Sequence, residues 1–265
     1  MGSATRVALG EAKARLTSLG SQVDLATGEE LFAAGRIIGD SSHLLSALSD
    51  PGVDAPAKVA LVKQLFGPNY GSVTVDLLSG IASSRWSTHR DLLAGIEEIG
   101  IRAVAGSGAS SAAIDSELFE FARAVTSDAD LELALGSKLG STEQKRALVE
   151  RLLGGRASAP TTAIVRQLVT QPRGRRIGEL LRYASSIVAD QSGSAVATVT
   201  AAAPLAAAQI DRLQSTLAAK YGRTVQINQV IDPAVVGGVR IQLGDDVIDG
   251  SVATRINDLR LQLAG

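Results

Sequence analysis

Shifted against itself by 87 residues, the chain meets its own pattern without a gap. Glu30-Leu31-Phe32 falls on Glu117-Leu118-Phe119, Lys58 on Lys145, Ala60-Leu61-Val62 on Ala147-Leu148-Val149, and Gly67 on Gly154. Ala and Leu recur often enough to imitate a repeat, but the matched Glu-Leu-Phe and Leu-Val blocks favour duplication of one small unit. Copies that keep register over such a length must share helix lengths, turns and apolar spacing, so both have to take the same fold.

That fold is a helical bundle. From Ala4 to Leu19 the apolar residues Val7, Leu9, Ala12, Leu16 and Leu19 recur at mostly helical spacing. Thr27 and Glu30 have capping-box spacing and predict the start of a second helix. Further helices are expected over 42–48, 55–66, 73–82 and 88–104, separated by turns such as Asp50-Pro51-Gly52 and Gly67-Pro68-Asn69. Aromatic residues make up only 3% of the chain, so the core must be built from Ala, Leu, Val and Ile, which suit close helix packing. Gly106 to Ser111 predicts a linker. The second copy has no counterpart of helix one; it is expected to start at Asp115 as N-cap and to carry a capping box at Ser141 and Gln144.

After Gln191-Ser192-Gly193 the period changes. Ala195 to Ala202 alternates as a strand, Pro204 to Tyr221 predicts a helix, and Val225 to Ile231 and Val239 to Leu243 predict two more strands. Asp232-Pro233 and Gly237-Gly238 turn the chain between those strands, Gly244-Asp245-Asp246 turns it again, and Ser251 caps a last helix over Val252 to Leu263. The expected fold is therefore mainly α: a six-helix bundle over 1–106, a second, duplicated bundle over 107–193, and a small two-layer α/β domain over 194–265.

The run Ile231-Asp232-Pro233-Ala234-Val235-Val236-Gly237-Gly238-Val239-Arg240-Ile241-Gln242-Leu243-Gly244, continuing through Asp249-Gly250-Ser251 to Arg260, resembles the C-terminal signature of the delta subunit of F-type ATP synthase. The mitochondrial counterpart of that subunit is the oligomycin sensitivity conferring protein. The resemblance is strong over about the last 40 residues and general over the helices. In that family one six-helix bundle precedes the C-terminal domain, so this chain carries an extra one, as do longer delta subunits of actinobacteria. In some of those, delta is fused behind a b-type stalk subunit.

The resemblance implies a mechanical role: a stator connector between the catalytic head and the peripheral stalk, supporting proton-driven ATP synthesis without catalysing it. It implies an amphipathic N-terminal helix of an alpha subunit seated between helix one and helix five, with Leu9, Leu16, Val73, Leu77 and Ile81 as candidate walls, some of which must instead face the bundle's own core. It also implies the end of a b-type stalk subunit on the C-terminal domain, near Gly237, Gly238, Arg255 and Arg260. One copy per complex is expected, at the cytoplasmic face of a bacterial plasma membrane, with the membrane touched only through the complex.

The residues themselves offer no chemistry. There is no cysteine, which excludes disulfides, thiolate metal sites and cysteine nucleophiles. His43 and His89 stand apart from any Ser and acid arrangement, so they are expected at the surface or at a bundle edge. Asp245, Asp246 and Asp249 match no calcium-loop spacing and suit turn and cap positions, and Gly136-Ser137-Lys138 lacks the remaining residues of a phosphate loop. No cofactor is implied. A net charge of −1 argues against a general nucleic-acid binder, and no apolar run approaches the roughly 20 residues that cross a bilayer, so a soluble chain is expected. Trp86 is expected to cover the end of its own bundle, with a partner anchor as the other reading. The alternative function, an Arg-patch regulatory or nucleic-acid-binding protein, rests on Arg166, Arg173, Arg175, Arg176 and Arg182, a cluster to be read as a solvated face or a partner surface.

Overall fold

The structure is a computed structural model and describes residues 2–108, 110–136, 140–235, 237–244 and 246–250. It divides into two compact units, Met1–Val188 and Ala189–Gly265. The first is helical. Its opening bundle runs α1 (Ser3–Leu19), α2 (Leu25–Asp40), α3 (Ser42–Ser49), α4 (Ala55–Phe66), α5 (Ser72–Ser83) and α6 (His89–Gly106). Then follow α7 (Ser111–Ser127), α8 (Ala129–Gly136), α9 (Thr142–Leu153), α10 (Ala159–Thr170) and α11 (Ile177–Gln191).

The repeat returns in these bounds. Adding 87 to the ends of α3, α4 and α5 gives the ends of α8, α9 and α10 residue for residue. The caps repeat with them. Asp54 accepts from the Ala57 N–H and Ser141 from the Gln144 N–H, while the Gly67 and Gly154 N–H groups close onto the Lys63 and Glu150 carbonyls. Glu30 was expected to box its own helix. Instead Asp24 caps α2 in a box with Thr27, and Glu30 reaches across to the start of α5, accepting from the Gly71 N–H at 2.9 Å and from the Thr74 hydroxyl. In the second copy Glu117 does the same for α10, accepting from the Ser158 N–H at 3.1 Å and from the Ser158 and Thr161 hydroxyls. A carboxylate there satisfies N–H groups that a helix start leaves without intrahelical partners. Asp115, expected as an N-cap, lies inside α7, which begins a turn earlier at Ser111; it is buried and accepts from the Ser185 hydroxyl.

Two apolar clusters fill the unit, and they share helices. The first gathers Leu9, Leu16, Leu31, Phe66, Leu77, Ile81 and Ile96. The second, around Leu118, Val149, Leu168 and Leu180, also takes in Phe32 of α2 and Ile101, Val104 and Ala105 of α6. In the opening bundle α1 lies along α5, where Arg15 meets Asp76 and Gly80, and Glu11 meets Ser84. The corresponding α10 positions are Ala163, Gln167 and Gln171. Gln167 accepts from Arg36 of α2, Gln171 donates to the Gly35 carbonyl, and Ala163 shares the cluster with Phe32. The second bundle has no first helix of its own, and α2 and α6 take that place against α10.

The second unit is a four-stranded sheet in the order β2-β1-β3-β4, with β1 (Ser194–Ala201), β2 (Thr224–Ile231), β3 (Val239–Leu243) and β4 (Asp246–Asp249). β1 and β2 are parallel across the crossover helix α12 (Ala207–Tyr221), and the other pairings are antiparallel. Ala197, Val199, Val225, Ile241 and Leu243 share one face, against which α12 sets Leu213, Leu217 and Tyr221. β4 was expected as turn and cap. Its four residues are too short for alternation to stand out, but Ile248 pairs with Ile241 and packs on the core. The last helix, expected over Val252 to Leu263, lies outside the described residues, as do Ser137, Lys138 and Asp245.

Candidate functional site

Helix α1 turns Thr5, Ala8, Leu9, Ala12 and Leu16 inward, which leaves Val7, Gly10 and Ala14 as an exposed stripe on its far side. Val7 is 62% exposed, and a Cβ added at Gly10 would meet nothing within 4 Å. The helix is held firmly. Arg15 Nε donates to Asp76 at 2.7 Å, and that hydrogen bond raises the guanidinium's proton affinity above its ordinary level. At the other end the Thr5 hydroxyl donates to Asp91 at 3.0 Å and accepts from the Ser87 N–H at 3.1 Å. A cleft of about 1090 Å³ opens there, between α1 and the segment that joins α5 to α6.

The candidate wall residues are mostly covered by the bundle itself. Leu9, Leu16, Leu77 and Ile81 are buried in the bundle's own core, and Val73 packs half-buried against it. Spacing showed that α1 has an apolar stripe; it did not show that Val7, Gly10 and Ala14 form a second, exposed one, because two of the three carry too little apolar surface to register. Trp86 is buried, donates its indole N–H to the Ile81 carbonyl at 2.8 Å, and lies where a side chain on Gly95 would stand. It covers its own bundle. His43 and His89 are both exposed.

The arginine cluster is not a free patch. Arg173 and Arg175 both reach Glu97 of α6, which is only 2% exposed, with Arg175 at 2.7 Å. Burial lowers the proton affinity of Arg173, and Glu97 works against that. Arg173 also sits at φ +49°, in the left-handed region, beside Gly174. The neighbouring Glu98 accepts from buried Arg102 and from the Tyr183 hydroxyl at 3.3 Å, and pairs with Lys13 at 2.9 Å. Arg166 bridges Glu29 and Glu150. Three of the five arginines thus tie the second bundle to the first, and only Arg176 and Arg182 are exposed. Sequence could not show this, because Glu97 lies 76 positions before Arg173.

In the second unit Gly237 and Gly238 take φ +65° and +78°, and they form an exposed corner before β3. The sheet face away from α12 carries Thr198, Thr200, Asn228, Arg240 and Gln242 together with Val196, Val230 and Val247, a mixed surface by strand register. Arg255 and Arg260 lie outside the described residues. Among the described residues no three His, Cys, Asp or Glu side chains are grouped to hold a metal, and no helix is long and apolar enough to cross a membrane.

Comparison with known proteins places this framework. The family model described as ATP synthase delta (OSCP) subunit matches residues 102–263. ATP synthase subunit delta of Leifsonia xyli subsp. xyli is 54% identical over 265 residues, covering all of both chains. The same subunit of Streptomyces griseus subsp. griseus is 39% identical over 271 residues and that of Thermobifida fusca 36% over 269, again end to end in both. The chain belongs to the ATP synthase delta (OSCP) subunit family, a non-catalytic component of the synthase's peripheral stalk.

Proposed function

We propose that the chain joins the catalytic head to a b-type stalk by gripping one alpha-subunit N-terminal helix on the α1–α5 side of the first bundle and the stalk's end on the C-terminal unit. The observation that carries the first half is the exposed Val7, Gly10 and Ala14 stripe on a helix pinned by Arg15 and Asp76. Small residues let a partner helix approach closely, and a helix already held in place costs little ordering on binding. Leu9, Leu16, Leu77 and Ile81 then act from the core, holding α1 and α5 in place behind that surface, while Val73 stands half-buried beside them.

The match of the family model to residues 102–263 favours a second reading, with the alpha helix on the second bundle. Against it stands the α10 face, already covered by α2. Titration of the labelled chain with an alpha N-terminal peptide separates the two. Shifts are expected along Val7 to Ala14 and at Val73, and Val7→Asp is expected to abolish them; shifts confined to α7–α11 would move the site.

For the stalk, Gly237, Gly238, Arg255 and Arg260 remain the proposed contacts. Arg260→Glu should weaken capture of a soluble b fragment with an unchanged thermal melt. One copy per complex at the cytoplasmic face of the plasma membrane completes the reading. The Arg-patch alternative loses its basis, since Arg166, Arg173 and Arg175 are engaged within the chain.

A further inference from the structure

Where the two bundles meet, α2, α9 and α10 leave an open cleft of about 510 Å³. Three guanidinium groups line it: Arg36, Arg146 and Arg166. Their charges are unevenly met. Glu29 and Glu150 both pair with Arg166. Arg36 gives its hydrogen bond to the neutral Gln167 amide, and Arg146 Nε is buried with no acceptor. Burial, and next the charge of Arg146, hold the Arg36 guanidinium below its ordinary proton affinity. A guanidinium nitrogen buried without an acceptor is costly, and the outward guanidinium nitrogens of Arg36 and Arg146 have no carboxylate among the described residues to meet them in the cleft.

The lining is not a relic of the repeated scaffold. In the first copy the positions of Arg146 and Arg166 are held by Val59 and Ser79, so the bundle folds without guanidinium groups there. Paired guanidinium forks suit the oxygens of a tetrahedral anion, each able to present two parallel N–H donors. Glu143, on the first turn of α9, also lines the cleft and has no ion pair among the described residues. It opposes an incoming anion.

We propose that this cleft binds a phosphate group between Arg36 and Arg146, carried either by free phosphate or by a nucleotide. The site is independent of the alpha and stalk contacts. The intact chain is titrated calorimetrically and melted with inorganic phosphate, with magnesium-free ADP, and with chloride at equal ionic strength. Phosphate or ADP is expected to raise the melting temperature above the chloride value; a rise with ADP alone assigns the site to nucleotides, and a rise with phosphate assigns it to the free anion. Arg146→Gln should weaken binding about tenfold, the loss of one charge-assisted hydrogen bond. Glu143→Gln should tighten it by roughly threefold as the repulsion is lifted. Equal melts in all three solutions overturn the proposal, and so does an unchanged affinity in Glu143→Gln, a test that holds even if Arg146→Gln fails to fold.

Discussion

Two carboxylates 87 positions apart, Glu30 and Glu117, do the same task, and each fixes where a helix begins. Burial pushes the Glu117 carboxyl up, but hydrogen bonds from Thr161 and Ser158 outweigh it, and the group titrates below its ordinary value. A carboxyl depressed in the fold stabilises above its unfolded value and loses that contribution as pH falls through the folded one. Glu117→Gln should therefore cost about 1–3 kcal/mol near neutrality, read by urea denaturation, and should flatten the loss of stability below the ordinary carboxylate range. Glu97 is the harsher case. Glu97→Gln leaves Arg173 and Arg175 without their anion and is expected to cost about 3–5 kcal/mol, whereas Arg176→Ala and Arg182→Ala should stay within about 0.5 kcal/mol by the same measurement. Comparable losses for all three would mean that the latch carries no special weight.

Helices cross closely where glycine permits. A Cβ on Gly95 of α6 would overlap the Trp86 ring, and one on Gly100 the Phe32 ring, so both positions hold aromatic groups against bare backbone. Gly95→Ala should lower stability by about 1–3 kcal/mol and blue-shift or red-shift the single tryptophan's fluorescence as the ring is displaced; an unmoved spectrum with wild-type stability would contradict this packing. Elements of this kind were legible in the sequence to differing degrees. Spacing places α3, α4 and α5 within a residue or two because Pro, Gly and Asp punctuate them, and the Ser141–Gln144 box is formed as its spacing predicts. The cap of α2 lies three residues before the Thr27 that spacing predicts, since Glu30 matches a cap spacing while its partners lie 41 and 44 positions ahead. Local spacing reports which face of an element is apolar. It does not report which apolar face is covered, and only the structure separates buried Leu9, Leu16, Leu77 and Ile81 from exposed Val7.

The duplication did not produce two equivalent bundles. α1 closes the first one by lying on α5, and the copy of α5 is closed by α2 and α6, through Arg36, Gln167, Gln171 and the shared residues Phe32, Ile101 and Val104. Residues 107–193 alone would expose that side of α10, including Ala163 and Gln167, which are buried in the intact chain. An excised fragment of that span should therefore lack a cooperative thermal transition, while the whole chain shows one. The same asymmetry sets the number of partner sites. If the alpha helix docks beside α1, the matching place on the second bundle is taken by the chain's own α2, and the second copy extends the connector without adding a receptor. Calorimetric titration of the intact chain with the alpha N-terminal peptide should give one equivalent, and Val7→Asp should remove it entirely. Two equivalents, or a full equivalent surviving Val7→Asp, would show that the covered α10 face opens for a partner and that the bundles are alike in function as well as in sequence.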